Sequence, residues 1–135
     1  MIQKLLLFFC TASLLLSCGN NKTVVPNTDI DVARAFIRNA LDNKMEEANT
    51  FVLQNEANKG FMDVFKNKFG SFAKDELEQY KNADIIINDI SPVNDSITII
   101  NYSNSYKKDF KQKVKMVRVS GQWLVDLKYT FSGNL

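Results

Sequence analysis

The sequence predicts an α+β domain in which N-terminal helices pack on one face of a curved, C-terminal antiparallel sheet of about four strands. Three observations predict it. Apolar residues recur at helical spacing from Asp29 to about Ala83, so that residues three and four apart share a face. From Asp84 onward the period shortens to two and β-branched residues dominate, the signature of half-buried strands. The strand-like segments meet at turns such as "SPVNDS" and "SGQ", too short for the crossovers that parallel pairing needs.

The first helix starts near Asp29, with Ile30, Ala33, Ile37, Ala40 and Leu41 on one face, Phe36 beside it, and Arg34, Arg38 and Asp42 pointing away. Thr28 or Asp29 is placed to cap it by accepting backbone N–H groups of the first turn. "DNK" breaks to a short second helix, "MEEANTFVL", with Ala48, Phe51 and Val52 inward. A third helix is expected after Gly60, where Phe61, Phe65 and Phe69 recur every fourth residue beside Met62. A fourth, capped by Ser71, carries Phe72, Leu77 and Tyr80. Strands follow at "DIIINDI" and "ITIINYSNSY". The third strand sets Lys111, Lys113 and Lys115 against Phe110, Val114 and Met116. The last is expected to alternate Trp123, Val125, Leu127, Tyr129 and Phe131 inward with Asp126, Lys128 and Thr130 outward.

With 135 residues there is room for one domain with one small core. Basic and acidic residues number 17 and 15, a balance that implies no polyanionic partner such as nucleic acid. Histidine is absent, which removes the commonest general base and metal ligand together with Ser-His and Cys-His nucleophile pairs. The two cysteines, Cys10 and Cys18, leave everything beyond residue 18 without a thiol. No Gly-rich phosphate loop or zinc-ligand spacing occurs, so neither metal nor cofactor is expected.

Residues 1–17, "MIQKLLLFFCTASLLLS", have the layout of a signal peptide: Lys4, an apolar stretch Leu5–Leu16 and a small residue, Ser17. As a helix the stretch rises only about 18 Å, short of the roughly 30 Å of bilayer hydrocarbon. Leu15-Leu16-Ser17-Cys18 resembles the lipobox of bacterial lipoproteins, in which the cysteine thiol is acylated and becomes the mature N-terminus. The resemblance implies lipid attachment at Cys18 and a membrane partner held through acyl chains, two or three of which bind effectively permanently. Cys10 reads as a buried signal-peptide residue. Residues 18–29 then form the lipidated cysteine and a tether rich in Gly, Asn and Pro, and residues 30–135 the single α+β domain. About ten extended residues reach on the order of 35 Å. The expected location is the bacterial cell envelope.

Most of residues 30–130, with "AFIRNALDNKMEEANTFV" in the helical half and "VRVSGQWLVDL" in the closing hairpin, resembles the domain of unknown function 4878 family. Those small lipoproteins belong to the cone-shaped, nuclear-transport-factor-2-like (cystatin-like) superfamily. The resemblance implies a cone-shaped fold but no particular activity, since that superfamily spans isomerases, binding modules and docking domains.

Two constellations compete with ordinary packing. Phe36, Phe61, Phe65, Phe69, Tyr102, Tyr106 and Trp123 are candidates to line a pocket for a small apolar ligand, although aromatic stripes at helical spacing also build cores. Lys111, Lys113 and Lys115 are candidates for a basic face meeting anionic headgroups or an envelope protein, although lysines also solubilise a sheet face and block edge pairing. An enzyme of the superfamily type would need Asp126 beside Tyr102, Tyr106 or Tyr129. The outward register of Asp126 favours a solvated carboxylate, and the sequence as a whole favours a non-catalytic binding module.

Overall fold

A computed structural model describes residues 25–132. Cys18, the signal-peptide stretch and most of the tether lie outside the described residues. The first helix, α1 (Asp29–Leu41), opens where expected: the Thr28 side chain accepts a hydrogen bond from the Asp31 backbone N–H at 3.1 Å, and acidic Asp29 and Asp31 occupy the positive end of the helix. Phe36 is fully in the core and Ile30 only partly. Asn43 then takes a left-handed conformation, φ 57°, which Asn tolerates better than most residues.

The second helix is shorter than its apolar pattern suggests. α2 (Met45–Asn49) stops before Phe51 because the following backbone finds a better partner in the sheet. Val125 donates its N–H to the Phe51 carbonyl at 2.8 Å, and Leu53 donates to the Val125 carbonyl at 2.9 Å. α3 (Glu56–Gly70) begins four residues ahead of Gly60. Asn55 supplies the reason, accepting from the Asn58 N–H at 2.8 Å as an N-cap. Ser71 closes α3 and does not cap α4 (Lys74–Lys81), whose start has no side-chain cap.

Four strands follow, β1 (Ile85–Asn94), β2 (Ile97–Asn104), β3 (Gln112–Val119) and β4 (Gln122–Asp126), paired antiparallel in the order β1-β2-β3-β4. β1 runs through "SPVN", expected as turn, and the turn is Asp95-Ser96. Pro92 is tolerated there because β1 is an edge strand. Ser120 and Gly121, at φ 50° and 81°, form the two-residue β3–β4 turn, matching the twist of the strands they join.

The last segment departs from expectation. β4 ends at Asp126 and the chain turns into a short helix, α5 (Leu127–Ser132), where continued strand was expected to Phe131. Polar acceptors drive the change: the Lys128 N–H donates to Asp126 Oδ1 and to Asn58 Oδ1, both at 3.2 Å. Asn58 is buried and also donates from Nδ2 to the Leu53 carbonyl at 2.8 Å, so one amide ties α3, the α2–α3 connection and α5 together.

One core unites these elements. Ile100, Tyr102, Val114, Met116 and Val125 on one sheet face are buried with Val32, Phe36 and Ile37 of α1 and Leu127 of α5. On the opposite face Ile97, Ile99, Val117 and Leu124 stay partly exposed.

Candidate functional site

Where α1, α3, β2, β3 and α5 converge, packing leaves a cavity of about 260 Å³. Phe36 comes from α1, Phe65 and Lys68 from α3, Tyr102 from β2, Gln112 and Lys113 from β3, and Leu127 and Thr130 from α5. Phe110 and Lys111, in the connection before β3, complete it. A smaller cavity of about 40 Å³ adjoins it, sharing Phe65, Lys68, Tyr102, Phe110 and Gln112 and reaching Phe69, Phe72 and Tyr80.

The aromatic residues expected to line a pocket divide in two. Phe36, Phe65 and Tyr102 line the larger cavity, and Phe69 the smaller. Phe61, Tyr106 and Trp123 line neither. Phe61 packs against the core. Tyr106 meets Tyr80 edge to face at 5.0 Å, with the Lys107 ammonium 4.6 Å from its ring centre. The Trp123 ring lies beneath Arg118, 5.9 Å from the guanidinium carbon. A run of rings extends from the larger cavity: Phe36 to Phe65 at 6.4 Å, Phe65 to Phe69 at 5.1 Å, Phe69 to Phe72 and Tyr80 at 5.2 and 5.5 Å. That run joins the two cavities: Phe36 and Phe65 wall the larger, and Phe65, Phe69, Phe72 and Tyr80 the smaller.

Tyr102 is the most deeply set of the lining aromatics with a polar group. Burial alone pushes its phenol well above the ordinary tyrosine value, so it stays neutral. Thr130 brings a hydroxyl that is buried and has no hydrogen-bond partner, an uncommon state for a polar atom. Phe110, expected to face the core, is 57% exposed at the cavity rim.

The three lysines expected to form one basic face are separated by their roles. Lys115 lies 3.5 Å from Asp126 across the β3–β4 pair. Lys113 shares its register on the face away from the helices, while Lys111 precedes the strand. Lys68, which the sequence reading did not single out, joins Lys111 and Lys113 in the cavity lining. Its signal was present as spacing: Lys68 stands three residues beyond Phe65, on the neighbouring stripe of the same helix. Thr130 was hidden because strand parity turned it outward, whereas α5 rotates it in.

Among the described residues no carboxylate lines either cavity. Asp126 spends its oxygens on Lys115 and the Lys128 N–H, and sits on the sheet face opposite Tyr102. Among the described residues no group of three His, Cys, Asp or Glu side chains is placed to hold a metal, and no helix is long and apolar enough to cross a membrane. Comparison of the chain with family models, with curated proteins and with solved structures returned no match.

Proposed function

We propose that this chain is a cell-envelope lipoprotein, anchored through acyl chains on Cys18, whose domain is a non-catalytic module binding a small apolar ligand. The observation that carries the binding half is the 260 Å³ cavity walled by Phe36, Phe65, Tyr102 and Leu127. Native cores close such space because each unfilled volume forfeits contact energy. A cavity of about 150 Å³ admits a benzene ring, so this one takes a ring bearing a few further atoms. The anchoring half rests on "LLSC" and the tether after it. In the same proposal the fold is a cone-shaped, nuclear-transport-factor-2-like domain of the family of unknown function 4878. Helices lying over one sheet face with a cavity between support that reading.

The non-catalytic assignment is supported by chemistry the cavity lacks. General acid–base work needs a group that changes protonation near the operating pH, and the lining offers a phenol held neutral, lysines and hydroxyl or amide groups.

Thermal unfolding with benzene tests the binding reading. Mass action predicts a gain of about 2.7 kcal/mol at a free ligand concentration a hundred times the dissociation constant. Leu127→Phe, which puts a larger side chain into the wall, should abolish the gain. An unchanged melting temperature at benzene saturation defeats the reading.

A further inference from the structure

The cavity has a charge pattern that apolar binding does not use, and from it we infer the class of ligand: a small monocarboxylate with an aromatic or short aliphatic body. The inference rests on the binding reading above and adds the headgroup. Lys68 from α3 and Lys111 from the segment before β3 belong to distant parts of the chain, yet both line one cavity. Some lysines of the domain are neutralised by a carboxylate, as Lys66 is by Glu46 at 2.6 Å and Lys115 by Asp126 at 3.5 Å. Among the described residues Lys68 and Lys111 have no such ion pair, and none of those lining the cavity is acidic.

Two like charges brought to the rim of an apolar hollow repel each other, and low-dielectric walls strengthen their field in the hollow. An anion seated between them removes the repulsion. The wall behind them is aromatic and aliphatic, so the remainder of that anion is apolar. The exposed Phe110 ring at the rim adds apolar surface beside Lys111, and Thr130 leaves a hydroxyl donor unpaired in the same wall. A carboxylate accepts from ammonium and hydroxyl donors together. The size of the hollow limits the body to about one ring with a short chain, which excludes a whole phospholipid.

The test compares 4-phenylbutyrate with 4-phenylbutanol, which share their apolar body and differ in charge, by calorimetric titration of the full chain. The carboxylate should bind at least tenfold more tightly at low ionic strength, and the ratio should shrink as salt screens the lysines. Lys68→Gln with Lys111→Gln should bring the two affinities within twofold of each other while leaving the alcohol unchanged, which also shows that the variant folds. Equal affinities in the unsubstituted chain overturn the headgroup assignment and leave apolar binding intact. Failure of both compounds to bind overturns the cavity reading itself. If the carboxylate has no preference but the unsubstituted chain, unlike the double variant, sediments with phosphatidylglycerol vesicles, the two lysines serve a membrane surface and the proposal falls.

Discussion

Tyr102 couples the cavity wall to alkaline stability. Its phenol is held in the neutral form by burial, above the ordinary value of 10.0. A group whose folded pKa is raised contributes stability that is fully present below the unfolded value and is lost as pH climbs toward the folded one. Stability should therefore fall above about pH 10, and Tyr102→Phe should flatten that fall relative to the unsubstituted chain. Urea midpoints measured across this range for both proteins check it, since the two differ in that phenol alone. Parallel curves would show that the phenol bears no such load. Tyr102 was legible as an inward residue from the alternation of "ITIINYSNSY". Phe110 was not, because alternation was extended past the strand start at Gln112, and period alone does not mark where a strand begins.

At the scale of elements, side chains at helix ends and loops decide what hydrophobic periodicity leaves open. Arg38 of α1 fastens α4 by its last turn: Nη1 donates to the Ala83 carbonyl at 2.7 Å, Nη2 to the Lys81 carbonyl at 2.9 Å, and Nε to Asp42 Oδ1 at 2.9 Å. Charged donors on otherwise unpaired helix carbonyls are among the stronger hydrogen bonds. Arg38→Ala should cost about 2 kcal/mol in denaturant unfolding, with Lys a poor substitute because it lacks the fork. A loss below about 0.5 kcal/mol, the scale of an exposed ion pair, would mean that solvent replaces these bonds. The helix-to-strand order and the antiparallel hairpins were readable because their apolar periods run long. α5 was not: "LVDLKYTF" alternates as a strand does, and the acceptors that turn it helical, Asp126 beside it and Asn58 of α3, include one that only the folded chain brings near. The end of α2 was lost in the same way, to the backbone of Val125. Of the two, only α5 bears on the candidate site, since it supplies Leu127 and Thr130 to the cavity.

For the molecule as a whole, the proposal separates where the protein is held from what it holds. Cys18→Ala should shift the chain from the membrane fraction to the soluble fraction on expression in a bacterial host. The described domain offers no apolar helix of spanning length to replace the acyl chains. Retention of the variant on membranes would defeat the anchoring half and leave ligand binding untouched. The way the chain enters α1 has a mechanical consequence. At the first residue of α1, Asp29 Oδ2 accepts a 2.6 Å hydrogen bond from the buried hydroxyl of Thr98, and Thr98 lies on β2, flanked on both sides by β1 and β3. A pull on the N-terminal segment is thus delivered past the helix end into an interior strand. Under tension on the residues before Asp29, that bond shares the load with the first turn of α1 and shields the hollow behind Phe36.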